Sequence, residues 1–189
     1  MGHPWDPFPL PIRGDLDEAK TFEGIGRVID KWERIEFLLA RIYSIFVGDP
    51  DGDALREFGT GRRNIWDKLS VLKDAAEQAF ARRPNQKSEG DLFKWILHVE
   101  GFADRRNEIA HGIVYMVSLF TFFRQRTDRP DYQVQYAVIP AYHIAKHHNP
   151  NGIPKYMYAS PEMVELIRCL DLLFLNLDEL RQRLLKELR

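Results

Sequence analysis

The chain has 189 residues, of which 44% are hydrophobic and 29% are charged, a composition typical of a globular domain with a substantial core. Lysine and arginine number 27 against 28 aspartate and glutamate residues, and the resulting formal net charge of −1 excludes a protein that coats nucleic acid through bulk positive charge. The single cysteine, Cys169, excludes a disulfide framework and favours a reducing, cytoplasmic environment. No apolar stretch reaches the roughly 18 residues of a membrane span, so no membrane association is expected.

The N-terminal part of the chain changes from an extended to a helical pattern. Four prolines within the first 14 residues predict that residues 1–15 form an extended arm. Apolar residues then recur at helical spacing and predict a long first helix that runs to Val47. Asp15 is predicted to cap this helix, with Glu18 in the capping-box position.

Two further helices are predicted from the same periodicity. The second runs from about Gly61 to Arg82, after a short turn at residues 54–58. The third begins near Asp91, and Gly112 is its expected stop.

The pattern after the third helix indicates strands. Residues 114–123 and 132–139 are rich in β-branched and aromatic side chains, and apolar and polar residues alternate in the second stretch. We therefore predict a β-hairpin insert at about 114–139. Ser160, followed by proline, opens the last helix. The sequence predicts a mainly α fold, in which residues 16–189 form one domain of four main helices with the hairpin between the third and the fourth.

Two charged residues fall on the apolar faces of predicted helices. On an ideal helix Arg106 lies about 20° from the centre of the apolar stripe of the third helix, set at Val99. Glu36 lies about 40° from Trp32, the centre of the stripe in the first helix. Because isolated buried charge is costly, we interpret Glu36 and Arg106 as an ion pair. Such a pair either locks two helices together or marks a cleft or a subunit interface.

Arg106 also begins the segment Arg-Asn-Glu-Ile-Ala-His, in which Asn107 and His111 share one helical face. This segment resembles the Arg-x(4–6)-His signature of the HEPN superfamily, in the form with Asn directly after Arg. Its position late in the third predicted helix also resembles the position of that signature in HEPN proteins. The resemblance implies a HEPN-like helical bundle over residues 16–189. Arg105 offers a second register, since its spacing to His111 also satisfies the signature, but Arg106 is preferred because Asn107 follows it directly.

The resemblance implies a metal-independent endoribonuclease that acts as a homodimer, in defence or toxin–antitoxin biology. His111 would be the general acid and base, Arg106 would stabilise charge on the scissile phosphate, and Asn107 would orient one of them by a hydrogen bond. No cofactor and no metal is implied. The implied partners are RNA, a second copy of the chain, and an antitoxin or other protein. Other HEPN proteins bind nucleotides or partners without catalysis, and such a non-catalytic dimer is the alternative.

Two further groups of residues are candidate binding sites. Three arginines lie in the predicted turn of the hairpin: Arg124, Arg126 and Arg129. They are expected either to be solvated or to contact an RNA backbone. His143, His147 and His148 have helix-like spacing, but a zinc site needs four converging ligands, so no metal site is predicted.

Overall fold

The structure, a computed structural model, describes residues 2–11, 14–49, 52–61, 64–117, 135–141 and 143–188. This part of the chain is mainly helical and contains one small antiparallel pair of strands, which confirms the predicted mainly α class. The elements, in chain order, are α1 (Glu18–Phe46), α2 (Ala54–Gly59), α3 (Ile65–Arg82), α4 (Gln86–Ala110), β1 (Gly112–Val117), β2 (Gln135–Pro140), a 3₁₀ turn (Ala145–His147) and α5 (Ser160–Glu187). Within the described ranges, no helix combines the length and the apolar character needed to cross a bilayer.

Helix α1 begins at a side-chain cap different from the predicted one. Asp17 Oδ1 accepts a hydrogen bond from the backbone N–H of Ala19 at 2.9 Å and satisfies a donor that has no partner within the helix. The prediction that Asp15 caps the helix is therefore wrong. The Asp15 carboxylate instead accepts a hydrogen bond from the Ser160 hydroxyl, and its carbonyl accepts one from the N–H of Tyr136 at 2.8 Å. These bonds attach the end of the N-terminal arm to β2 and to the first turn of α5.

Asparagine side chains set the starts of α3 and α4. Asn64 Oδ1 accepts a hydrogen bond of 2.9 Å from the third backbone N–H that follows it, and α3 begins at Ile65. Asn85 Oδ1 does the same at 3.1 Å, so that α4 begins at Gln86, earlier than the predicted Asp91. The polar stretch before Asp91 forms the first turns of the helix.

Strands β1 and β2 pair in antiparallel register, from Gly112 opposite Pro140 to Val117 opposite Gln135. This confirms the predicted antiparallel pair, with β1 beginning directly after α4. The remaining residues predicted as strand, 118–123 and 132–134, lie outside the described residues. The same holds for the three arginines of the predicted turn: Arg124, Arg126 and Arg129.

The chain divides into two compact units. The first comprises residues 1–30 and 104–169, and the second comprises residues 31–103 and 170–189. The single domain predicted over 16–189 stays a prediction.

The core of the second unit is built from the apolar faces of helices. Its large buried side chains include Trp32, Leu39, Leu72, Ile96, Val99, Leu177 and Leu184. Within this unit, the ring of Phe46 on α1 meets that of Phe80 on α3 edge-on, with centroids 5.4 Å apart. Each buried side chain of this size contributes roughly 1.5–3 kcal/mol, so these helical stripes are the main source of stability of the unit.

The first unit is organised around the strands. A buried cluster joins both strands to the segment before α5 and comprises Val117, Ala137, Met157 and Ala159. Tyr158 continues the sheet by one bridge, because its N–H and C=O both bond to the backbone of Val138, at 3.0 and 2.8 Å. Tyr158 is 1% exposed, and this backbone pairing fixes its side chain against the end of α4.

Candidate functional site

A cavity of about 420 Å³ lies at the C-terminal end of α4, within the first unit. Its lining comes from the end of α4, the residue that follows it, the 3₁₀ turn and the segment before α5: Asp104, Arg105, Asn107, Glu108, His111, Ile144, Lys146, His147 and Tyr156. The cavity thus brings together two imidazoles, a guanidinium, an ammonium and two carboxylates. Groups of this kind carry proton transfer and anion binding in enzymes.

Arg105 is the most deeply placed cation of this cavity. Its side chain is only 9% exposed, and Nη2 forms an ion pair with the Glu108 carboxylate at 2.9 Å. Nε and Nη1 are buried and have no hydrogen-bond partner among the residues that the structure describes. Unsatisfied donors on a buried charged group are costly, so these two nitrogens of Arg105 lack the partners that such a group usually has.

The burial of the two arginines reverses the sequence-based expectation. Arg106 was expected on the apolar stripe and Arg105 well off it, whereas Arg105 is buried and Arg106 is half-buried. The predicted angles around α4 are measured from Val99, which lies in the middle of the helix. In the last turns of α4 the buried side is set locally, because Glu108 there contacts Tyr158.

Glu108 connects Arg105 to the buried tyrosine. Its carboxylate accepts a hydrogen bond from the Tyr158 hydroxyl and also binds Arg105. Burial raises the pKa of the Glu108 carboxyl, and the Tyr158 hydroxyl and Arg105 oppose this shift. Burial and the nearby Glu108 raise the pKa of Tyr156 to about 12, so Tyr156 is neutral near pH 7. Glu108 therefore holds the guanidinium of Arg105 in one orientation.

The other residues of the motif lie at the rim of the cavity. His111 is exposed and directly follows α4, and its backbone N–H donates to the Asn107 carbonyl at 3.0 Å. The side chains of both residues line the cavity. Arg106 Nη1 donates to Asn107 Oδ1 at 3.1 Å, but Arg106 is not among the residues that line the cavity. The structure thus groups His111 and Asn107 with Arg105.

Gly112 allows the chain to turn from α4 into β1 directly after His111. A Cβ atom at this position would lie 2.3 Å from Val138 Cγ1 and 2.9 Å from the Glu108 carbonyl oxygen. Any side chain would therefore separate the end of α4 from β2. The glycine expected as a helix stop is required for a close approach that fixes the position of His111.

The 3₁₀ turn contributes a second histidine to the lining of the cavity. His147 is half-buried there, and its ring meets that of Tyr156 edge-on, with centroids 5.5 Å apart. Burial, together with the charges of Lys146 and Lys155, lowers the pKa of His147. Sequence reasoning considered His147 only as a metal ligand, because nothing local connects this loop to the end of α4.

The histidines of this loop do not form a cluster. His143 is exposed, and His148 Nδ1 lies 3.2 Å from the carbonyl oxygen of Ile144. Among the residues that the structure describes, no group of three histidine, cysteine, aspartate or glutamate side chains is arranged to hold a metal ion.

Glu36 belongs to the second unit, and its ion-pair partner differs from the predicted Arg106. Its carboxylate accepts a hydrogen bond from Trp32 Nε1 at 2.6 Å and forms an ion pair with Lys68 of α3. Trp32 is 1% exposed, so its indole N–H depends on this carboxylate for a partner. Glu36 therefore joins α1 to α3.

Compared with known proteins, the chain matches no family model, no curated protein and no solved structure. The chemistry of the cavity is accordingly the basis for an argument about function.

Proposed function

We propose that the protein is a metal-independent endoribonuclease of the HEPN type, and that it binds a phosphodiester of single-stranded RNA in the cavity at the end of α4. The observation that carries the proposal is that Arg105, Asn107 and His111 line one cavity. An imidazole transfers protons near neutral pH, and a guanidinium binds phosphate oxygens through paired N–H donors.

In this proposal Arg105 takes the role that the resemblance assigns to Arg106. Glu108 binds Nη2 of Arg105, and the guanidinium places a positive charge in the lining of the cavity, where it would attract a phosphate. Charge that develops on the scissile phosphate would then meet a preorganised, poorly solvated cation, which is the arrangement that stabilises a transition state best. Arg106 supports the site through its hydrogen bond to Asn107.

The reaction follows from the nature of these groups. The ribose 2′-OH attacks the adjacent phosphorus, the bond from phosphorus to the 5′ oxygen breaks, and the products are a 2′,3′-cyclic phosphate and a 5′-OH end. His111 exchanges protons with the reacting oxygens. DNA lacks the attacking hydroxyl and would not be cut.

The wider parts of the proposal come from the resemblance. They are a HEPN-like arrangement of the four main helices, a cytoplasmic homodimer, and a place in defence or toxin–antitoxin biology with an antitoxin or other protein partner. Light scattering that gives twice the monomer mass of 22.2 kDa would support the dimer, and monomer mass at micromolar concentration would contradict it.

The test of activity is cleavage of single-stranded RNA in the presence of EDTA, with end-group analysis for the cyclic phosphate. His111→Ala should lower the rate by about 10²- to 10⁴-fold, the usual contribution of a general acid–base group. His143→Ala is the matched control, because His143 is an exposed histidine that does not line the cavity. Cleavage of RNA that carries 2′-O-methyl groups, or equal rates for wild type and His111→Ala, would refute the mechanism.

The second candidate is a nucleotide- or partner-binding dimer without catalysis. The observation that favours it is that two cations, Arg105 and Lys146, line the cavity and would attract a phosphate whether or not a reaction follows. This candidate is supported if the protein binds a nucleotide, if Arg105→Met weakens that binding, and if no RNA is cleaved.

A further inference from the structure

His147 faces the same cavity as His111 but comes from a different part of the chain. It ends the 3₁₀ turn, whereas His111 follows α4, and both side chains line the cavity. The backbone of His147 donates to the Ile144 carbonyl at 3.0 Å and accepts from the N–H of Lys155 at 2.9 Å, and its ring meets that of Tyr156 edge-on. The cavity thus presents two separately positioned imidazoles.

Cleavage of a phosphodiester by the neighbouring 2′-OH requires two proton transfers at different oxygens. One proton leaves the 2′-OH, and another reaches the 5′ oxygen as its bond to phosphorus breaks. A single imidazole would have to serve both oxygens in turn, whereas two imidazoles that line one cavity can each serve one oxygen. We propose that His147 is the second catalytic histidine of this site and acts as the base, while His111 acts as the acid. This inference rests on the proposed function.

Each histidine carries one of the two protons. A ring nitrogen of neutral His147 takes the proton of the 2′-OH, and the 2′ oxygen forms a bond to phosphorus. The bond between phosphorus and the 5′ oxygen breaks, and that oxygen takes a proton from the protonated ring of His111. At the end His147 is protonated and His111 is neutral, and exchange with solvent restores both rings. The phosphate charge stays on the cyclic product, where Arg105 binds it.

The charges around His147 support its role as the base. Lys146 and His148 neighbour it on its own turn, and Lys155 approaches from the following segment. Tyr156 contacts its ring and is neutral near pH 7. The neighbouring cations, added to burial, keep the ring neutral to lower pH than an ordinary histidine, as a base requires.

The charged groups that α4 contributes to the cavity are Arg105 and the two carboxylates of Asp104 and Glu108. Glu108 is bound to Arg105 and to Tyr158, so its charge is largely compensated within α4 and the sheet. The lowered pKa of His147 therefore comes first from burial and then from the charges of Lys146 and Lys155.

The first test is the pH profile of kcat/KM for RNA cleavage by the full-length chain. The wild type should give a bell-shaped profile, because His147 must be neutral and His111 protonated. His147→Gln should lower the rate by about 10²- to 10⁴-fold and should lose the acidic limb. His143→Ala should keep both limbs and the wild-type rate, since His143 does not line the cavity. A merely structural role for His147 would lower the rate without changing the limbs.

The second test uses the unmodified protein and does not depend on the folding of a variant. The ring C–H resonances of its histidines are followed by NMR as uridine 3′-phosphate is added. The resonances of His111 and His147 should shift together with one saturation curve, and that of His143 should stay unchanged. A His147 resonance that does not respond while that of His111 shifts would overturn the inference.

The outcomes separate this inference from the proposed function. If the wild type cuts RNA and His147→Gln cuts it equally fast with both limbs intact, only the role of His147 is refuted. If the wild type cuts no RNA, the proposed function fails and the catalytic role of His147 fails with it.

Discussion

Removal of the Glu108 side chain should destabilise the protein strongly. The side chains of Glu108 and Arg105 are 16% and 9% exposed, and Tyr158, which donates to the same carboxylate, is 1% exposed. Glu108→Ala would leave a buried guanidinium with no counter-ion and a buried hydroxyl with no acceptor. Breaking a buried pair in this way costs about 3–5 kcal/mol, even though the intact pair contributes little net stability after the cost of burying its charges.

The expected loss is large compared with a typical total stability of about 5–15 kcal/mol. At roughly 2–4 °C per kcal/mol for a chain of this size, the thermal midpoint should fall by about 6–20 °C. Circular dichroism at 222 nm during heating measures this fall. Glu23→Ala is the matched control, because Glu23 forms an exposed pair with Arg27 and such pairs contribute only about 0–1 kcal/mol.

A double variant tests the cause of the effect. Glu108→Gln combined with Arg105→Met removes both charges and keeps similar volumes, so it should be more stable than Glu108→Ala alone. If the midpoint of Glu108→Ala equals that of Glu23→Ala, Arg105 does not depend on Glu108 and the reasoning about this cavity is wrong.

Two further predictions concern stability. Gly112→Ala should cost about 1–3 kcal/mol because its Cβ would overlap Val138. Gly90→Ala inside α4 is the control: its Cβ meets no atom within 4 Å, so it should stabilise the protein by about 0.5–1 kcal/mol. Chemical denaturation measures both free energies of unfolding, and equal effects would contradict the close approach at Gly112. Glu36→Ala should cost about 3 kcal/mol because it leaves Lys68 and the buried Trp32 indole without their acceptor. Glu77→Ala, at an exposed position, is the control. An unchanged thermal midpoint of Glu36→Ala would show that this pair carries no stability.

The types of the elements could be predicted from the sequence because each depends on a local repeat. Apolar side chains at three- and four-residue spacing predicted α1, α3 and α4, and alternation predicted β2, all of which the structure contains. The ends of helices were less predictable, because a cap is a single side chain that competes with others nearby. Asp17 rather than Asp15 caps α1, since the Asp15 carboxylate is bonded to Ser160 far along the chain.

The residues of the candidate site also differ in whether the sequence could predict them. Asn107 and His111 were predicted from a contiguous segment, and both line the cavity. His147 could not be connected to them, because no repeat relates a 3₁₀ turn to the end of α4. The relevant signal is the folded path of the chain, which brings the two histidines into the lining of one cavity.

What the sequence determined by itself is therefore the local conformation of its segments and the motif at the end of α4. Which charges pair was decided only by the tertiary structure: Glu36 binds Lys68, 32 residues away, and Glu108 binds Tyr158, 50 residues away. The physical reason is the range of the interactions. Backbone periodicity is set by neighbours within one or two turns, whereas a buried charge is stabilised by whichever partner the packing of distant segments brings within hydrogen-bond distance.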